Sequence, residues 1–353
     1  MVSLAGGRIQ VMLRRRTVPL ILALVALVVG LALLGTALGT VALAPAEVLS
    51  GLLGSASRTV TLTVQQFRLP RTVVAVEAGM ALGLAGSLTQ AVTRNPLASP
   101  DVLGVTSGAS AGAVAVLLAA GGAYVGYAGP AAELSRLGVP LGALAGALLS
   151  AALVLTLSAR RIGGIPEMQR VVLVGILANA VFLALVQWGL TVGDVDQAAK
   201  AAVYLTGSLN GRGWEQTLAL TASLAVLLPA ALAFRRPLDV LALGEEAAVT
   251  LGVSLRRVRL ALFAVAFSLV GVAVAAVGPV SYVALLAPQV ARRLTGTAGT
   301  ALLAPALVGA ALLLAADLVA RFVIPGTELP AGAVTALVGA PLLLALVLRP
   351  VAR

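Results

Sequence analysis

An all-α, polytopic membrane protein of about ten transmembrane helices is the fold class this sequence predicts, and three observations predict it. The chain is 60% hydrophobic and only 10% charged over 353 residues, whereas a soluble domain carries about 25% charged residues. Windows 17–46, 102–132, 137–159, 171–193, 260–291, 294–316 and 329–348 contain no Asp, Glu, Lys or Arg. Each is long enough for a span of roughly 20 apolar residues. Finally, arginines collect between these windows in an uneven, alternating way, as loops on the two sides of a membrane do.

The spans follow in order. Arg14, Arg15 and Arg16 precede the first, at about 18–40. Its apolar run exceeds the roughly 7–15 residues of a signal-peptide core, so it reads as a retained helix with a cytoplasmic N-terminus. The remaining spans fall at about 69–91, 103–120, 139–159, 170–191, 215–234, 259–277, 281–293, 302–322 and 331–348, forming a single transmembrane domain over 1–353. Gly278-Pro279 divides the longest apolar window into two spans, because this pair favours a turn. The eighth span is too short to cross lipid alone and needs neighbours to bury it. Small residues such as those of "GALAGALLSAA" at 142–152 allow helices to approach closely where apolar burial no longer drives association.

With the N-terminus inside, ten spans also end inside. Seventeen basic residues then face the cytoplasm and seven the outside: Arg58, Arg68, Arg71, Arg136, Lys200, Arg212 and Arg321. That asymmetry fixes the expected orientation, with both termini cytoplasmic, and explains the net charge of +11 without nucleic acid.

Two connections are too long and polar for simple turns. Residues 41–68 lie outside. Residues 235–258, "RRPLDVLALGEEAAVTLGVSLRRV", lie inside, and Leu238, Leu241, Leu243, Ala247, Ala248 and Leu251 give them an amphipathic face. Such a segment lies in the membrane interface or docks in a partner's groove. In the turn "TRNPLASPDVLGVTSGAS" at 93–110, Pro96 and Pro100 stop the second span and Asp101 is placed to cap the third.

Absent residues narrow the chemistry. With no His and no Cys, there is no Ser-His-Asp triad, thiolate or imidazole ligand. The only lysine, Lys200, is in no phosphate-binding loop, so any ATP that drives this chain binds to another subunit. Within the fifth span Asn179 and Gln187 lie eight residues apart with Gly175 one turn before Asn179. They share a helix stripe that either lines a path or bonds neighbouring helices.

Seven motifs in order then carry a resemblance. They are "RLPR" at 68–71, "RNPLASPDVLGVTSGAS" at 94–110, "GSLNGRGW" at 207–214, "LALGEEAAVTLGV" at 241–253, "VGPVSYVALLAPQVARRLTG" at 277–296, "LLLAADLVARF" at 312–322 and "ELPAGAVTALVGAPLLLALVLR" at 328–349. From about residue 60 to 349 the chain resembles permease subunits of ABC importers for iron–siderophores, haem and cobalamin. It is most similar to the ferric enterobactin type. The resemblance implies the type II ABC importer permease fold and a pair of permeases, identical or sister chains. It also implies two cytosolic ATPases carrying ATP and Mg, and an extracytoplasmic binding protein that delivers a metal chelate; no cofactor is held by this chain.

The resemblance also implies roles for residues. Arg68, Arg71 and Arg321 meet carboxylates of the binding protein; the alternative is snorkelling at the interface. Arg321 follows Asp317 by one helical turn, which brings the two side chains together. Leu241, Gly244, Glu245, Glu246, Leu251 and Gly252 belong to two short helices that contact the ATPase. Asn95 and Leu97, with Glu167, Met168 and Gln169 of "GGIPEMQ", form the cytoplasmic gate. The chain departs from the family at Gln289, where His is frequent, and at Glu77, an acid in the second span. Glu77 is expected to line an outer vestibule or to neutralise an external arginine. The competing classes are an ion-coupled secondary transporter, which needs more buried acids than Glu77 and Asp317, and a membrane enzyme, for which the chain has little chemistry.

Overall fold

A computed structural model describes residues 17–39, 42–119, 130–159, 167–296, 302–324 and 326–348. Its helices, in chain order, are α1 (Thr17–Ala37), α2 (Pro45–Leu52), α3 (Arg58–Leu62), α4 (Leu69–Thr93), α5 (Val105–Ala119), α6 (Pro130–Ser158), α7 (Glu167–Val192), α8 (Val195–Leu205), α9 (Trp214–Ala233), α10 (Arg235–Ala242), α11 (Glu245–Thr250), α12 (Leu255–Val277), α13 (Val283–Thr295), α14 (Leu303–Phe322) and α15 (Ala331–Leu348). Among the described residues there is no strand.

The core is organised around α4. It packs against α1, α9, α12, α13 and α14, and Val74, Ala78, Ala81, Leu82, Ala85 and Leu88 along it are buried. So dense a packing needs small side chains, and the sequence supplies them at crossing points. A Cβ on Gly79 would meet the Gly309 carbonyl at 2.5 Å, and one on Gly86 would overlap the Ala284 carbonyl. Between α5 and α6, Gly108 and Gly112 face Gly146 and Gly142 backbone to backbone. These are antiparallel small-xxx-small seams, in which van der Waals contact replaces the hydrophobic driving force that lipid removes.

Several helices on the flanks turn apolar side chains outward, including Leu22, Leu27 and Leu33 of α1, Leu141 and Leu149 of α6, Leu177 and Trp188 of α7, Leu218 and Val226 of α9, and Leu337 and Leu344 of α15. Among the described residues, seven helical stretches are long and apolar enough to cross a membrane, the second of them running unbroken from Arg58 to Thr93. The segment before α4 is thus helical rather than a loose connection. Residues Thr63–Arg68 form a π-helical turn, closed by the Leu69 N–H on the Val64 carbonyl. Pro70 explains the irregularity, since it has no N–H to continue a regular ladder.

The short α13 buries Val283 through Pro288 among its neighbours, and Gly278, at φ +78°, makes the break after α12. Helix α8 is not anticipated by the apolar windows. A capping box starts it: the Gln197 side chain accepts from the Asp194 N–H at 3.3 Å, a local signal the sequence carries as D-x-x-Q.

Candidate functional site

Two faces of the bundle carry the polar groups. One, formed by the ends of α4 and α13, the start of α14 and the α10–α11 segment, holds the Arg94 turn. The other, formed by the start of α4, the ends of α1 and α14, α8 and residues 326–330, holds Arg68, Arg71 and Arg321.

On the second face the structure brings these three arginines together but turns them inward. Arg68 is 8% exposed and its Nη1 donates to the Thr36 and Ala37 carbonyls at 3.0 and 2.9 Å. Arg321 Nη1 donates to the Gly35 carbonyl at 3.0 Å, and its Nη2 pairs with Asp317. The two arginines therefore satisfy carbonyls of the last turn of α1, groups no further helical N–H can reach. Arg71 donates from Nε and Nη2 to Asp317 Oδ1 at 3.2 and 2.9 Å, and from Nη1 to Glu328 Oε2 at 2.9 Å. Asp317, 2% exposed, is thus shared by two guanidiniums. Neither snorkelling nor a freely presented fork describes these side chains; Glu328 is the exposed member of the cluster.

Beside it lies a cavity of about 1260 Å³ between α8, the 206–216 loop and residues 328–330, lined among others by Lys200, Asn210, Arg212, Trp214 and Glu328. Gly207, at φ +67°, packs on the Pro279 carbonyl, and Gly332 N–H donates to the Gly207 carbonyl at 2.9 Å, tying this loop to α15. Tyr204 Oη donates to the Val274 carbonyl at 2.9 Å, and burial pushes its phenol up from the usual range, so it stays a donor. The polar cluster "GSLNGRGW" was the available signal for this vestibule.

Among the described residues Glu77 pairs with no arginine. Its Oε1 sits 2.5 Å from Thr221 Oγ1 of α9, and its Oε2 is buried without a partner.

On the first face, Arg94 ends α4 in the left-handed region (φ 51°, ψ 28°) and its Nη2 donates to the Leu241 carbonyl at 2.7 Å. This contact ties the turn to α10. Asn95 Oδ1 accepts from the Leu97 N–H at 2.9 Å, forming a local turn. Gln289, the residue that departs from the family pattern, donates to the Pro96 carbonyl, so an amide fixes the turn to α13. Asn95 and Leu97 are exposed, whereas Met168 is half-buried and Gln169 exposed at the start of α7. No hydrogen bond among the described residues joins the two groups. Residues 163–166 of the expected gate loop, and the Glu167 side chain, lie outside the described residues.

Asp101 does not cap the next helix through its backbone. Its Oδ1 accepts from Thr106 Oγ1 at 2.5 Å, inside the first turn of α5. Burial pushes the Asp101 carboxyl up, and bonds from Thr106 and Ser99 pull it back in part.

The 235–258 segment forms two short helices, α10 and α11, separated by Gly244 at φ +124° and followed by Gly252 at φ +79°. Its amphipathic face is divided. Leu238, Leu241 and Ala248 are buried in the bundle, Leu241 at 4% exposure. Leu241 is therefore an anchor and not a surface contact. Glu245 turns towards the bundle, where Arg259 Nη2 donates to it at 2.5 Å and Arg94 lies 3.9 Å away. What the segment presents outward is Leu243, at 72% exposure, with Glu246, Val249, Leu251 and Gly252.

The expected stripe on α7 also separates. Gly175 is buried against Leu103, Asn179 is half-buried beside Gly104, and Gln187 is exposed. Eight residues at 3.6 per turn leave a residual rotation of about 80°, enough to carry a stripe from a packing seam to an open face. Gly175 is accordingly a site of close helix approach rather than a path-lining residue.

Apolar helices packed about the buried α4, with a vestibule on one face and a pair of short surface helices on the other, define an integral-membrane permease. The chain belongs to the FecCD transport family, whose model matches residues 24–349. It is 38% identical over 331 residues to the Fe(3+)-citrate import system permease protein YfmE of Bacillus subtilis, covering 93% of this chain and 94% of that one. It is 36% identical over 311 residues to the ferric enterobactin transport system permease protein FepG of Escherichia coli, covering 88% and 90%. Among solved structures it is similar to an inward-facing conformation of a metal-chelate type ABC transporter, with TM-score 0.80 and 27% identity over 93% of this chain and 98% of the other.

Proposed function

We propose that this chain is the permease subunit of an ATP-driven importer that moves a ferric chelate, of the siderophore or citrate class, from an extracytoplasmic binding protein into the cytoplasm. The observation that carries the reading is the family match across nearly the whole chain, joined to relatives named for ferric citrate and ferric enterobactin. The α10–α11 surface is the proposed ATPase contact, made by Leu243, Glu246, Val249 and Leu251, with Gly244 and Gly252 shaping it. Two ATPases there would bind the ATP and Mg, and a second permease would complete the path. The cell membrane is the proposed location, with both termini and α10–α11 cytoplasmic, which places the arginine-rich face inside.

On the opposite face, the buried cluster supports docking indirectly. Arg68 and Arg321 hold the end of α1, and Arg71 holds Glu328 at the rim, so the cluster shapes the surface a binding protein meets. The 1260 Å³ vestibule beside it is large enough to receive a chelate from that protein. Asn95 and Leu97 remain the proposed inner gate, and Gln187 the proposed path residue on the open face of α7.

The test is reconstitution with the partner ATPase and binding protein in proteoliposomes, following radiolabelled ferric citrate and ferric enterobactin. Uptake that requires ATP inside and the binding protein outside is expected. Uptake driven by an ion gradient without ATP would replace the reading with a secondary transporter; ATP-dependent uptake of haem or cobalamin instead would keep the architecture and change the cargo.

A further inference from the structure

A second cavity, of about 390 Å³, opens on the face of the Arg94 turn between α4, α10, α13 and α14. The transport reading leaves it unused. Its polar lining is Ser87, Gln90, Arg94, Arg292 and Thr295, and no carboxylate lines it. The remaining wall is apolar, with Leu238, Leu241 and Pro288 among its residues.

Arg292 is the group that demands explanation. It is half-buried, its Nη2 donates to Gln90 Oε1 at 2.7 Å, and no carboxylate among the described residues pairs with it. Gln90 is itself fixed, since its Nε2 donates to the Leu285 carbonyl at 3.0 Å. The amide therefore orients Arg292 but supplies no charge. Arg94 reaches the same cavity from its rim, and its nearest carboxylate, Glu245 at 3.9 Å, is held by Arg259 at 2.5 Å. Two guanidiniums thus face one space with a single, already engaged acid near them. A half-buried positive charge is costly without a counter-ion, and the planar guanidinium fork suits the tetrahedral oxygens of phosphate.

We propose that this cavity binds a phosphate group through Arg292 and Arg94. The apolar wall is suited to the glycerol and first methylenes of an anionic phospholipid, and basic pockets between membrane helices take such headgroups; inorganic phosphate offers the same chemistry to the arginines. Because Leu238 and Leu241 of α10 form part of the wall, an occupied site braces α10 against α4, α13 and α14.

The experiment uses the purified full chain in detergent, with bound adducts read by native mass spectrometry and stability by thermal shift. The probes are dioctanoyl phosphatidylglycerol, dioctanoylglycerol with the same chains and no phosphate, and inorganic phosphate. A one-to-one phosphatidylglycerol adduct is expected, with affinity at least tenfold lower in Arg292→Gln and partly kept in Arg292→Lys. The exposed neighbour supplies the control: Arg293→Gln loses the same charge and should bind as the wild type does. Saturable binding of inorganic phosphate that depends on Arg292, with no lipid adduct, supports the site and identifies a free anion as its source. Three results would overturn the proposal: no binding of either anion, equal loss in Arg292→Gln and Arg293→Gln, or dioctanoylglycerol binding as well as phosphatidylglycerol. Arg94→Gln, which changes a rim residue, repeats the test should Arg292→Gln fail to fold.

Discussion

The two ends of the bundle use arginine in opposite ways. At the vestibule end, Arg71 and Arg321 share Asp317, Arg71 also holds Glu328, and Arg68 and Arg321 close the last turn of α1. Each guanidinium there meets a carboxylate or helix carbonyls, although Arg321 Nε is buried without a partner. At the other end Arg259 pairs with Glu245, but among the described residues Arg292 meets an amide, and Arg94 a carbonyl and a distant acid. A satisfied buried charge network has one low-energy arrangement and stiffens the helices it joins. Arginines bonded mainly to neutral groups sit beside a cavity and beside the α10–α11 segment, where a transporter needs its helices to shift. The contrast suggests a rigid rim and an adaptable base.

Removing Asp317 should break the rigid end most severely. Asp317→Ala leaves two largely buried guanidiniums without their shared carboxylate, and breaking such a pair costs about 3–5 kcal/mol. Thermal or denaturant unfolding of the purified chain would show it. Asp317→Ala with Arg321→Met should recover part of the loss, because one stranded charge goes with the acid. A loss below about 1 kcal/mol in Asp317→Ala would mean the cluster behaves as an exposed pair, and the contrast between the two ends would fail.

The α4 seam connects the ends, so it tests whether they communicate through one stiff element. Gly86→Val puts a branched side chain onto the Ala284 carbonyl, and overpacking of this kind costs about 1–3 kcal/mol. Gly30 has open space around its missing Cβ, so Gly30→Ala should leave unfolding nearly unchanged. Equal effects at the two glycines would remove the packing argument.

Gly252→Ala is the smaller probe at the adaptable end. At φ +79° an alanine costs about 1–2 kcal/mol locally without touching any neighbour. In the reconstituted importer the expected result is reduced uptake per ATP hydrolysed, with the fold intact by size-exclusion chromatography. Full coupling in this variant would mean that the turn after α11 does not transmit force.

How much of this was legible in the sequence depends on the range of the interaction. The helical, membrane-embedded class was readable because apolar windows and the Gly278-Pro279 break are local features, and α10 and α11 fall within the 235–258 segment. Asp317 and Arg321 could be joined on paper because one helical turn separates them. Arg71 could not be joined to them, since it lies 246 residues from Asp317 and only the packing of α4 on α14 brings it there. The same limit explains Leu241 and Gly175. An amphipathic pattern says that a helix has an apolar face, but inside a membrane protein that face can meet protein, lipid or partner. The rotation of α10 is fixed by the Arg94 bond to the Leu241 carbonyl, and that of α7 by close contact of Gly175 with Leu103.

Glu77 belongs to neither end, and it sharpens the comparison at the smallest energy. Thr221 Oγ1 lies 2.8 Å from the Thr217 carbonyl and 2.5 Å from Glu77 Oε1. A hydroxyl has a single hydrogen, so it cannot donate to both. The hydroxyl hydrogen is accounted for when the Glu77 carboxyl donates to Thr221 and Thr221 donates to Thr217; Oε2 still lacks a partner. Glu77→Gln keeps that donor as an amide, and its effect on unfolding should stay within about 0.5 kcal/mol. Glu77→Leu removes the donor and leaves the Thr221 bond to its own helix, so it too should be tolerated. If instead Glu77→Gln destabilises as strongly as Asp317→Ala, the carboxyl is a charge in the network, and the division between a paired end and an open end would have to include α9.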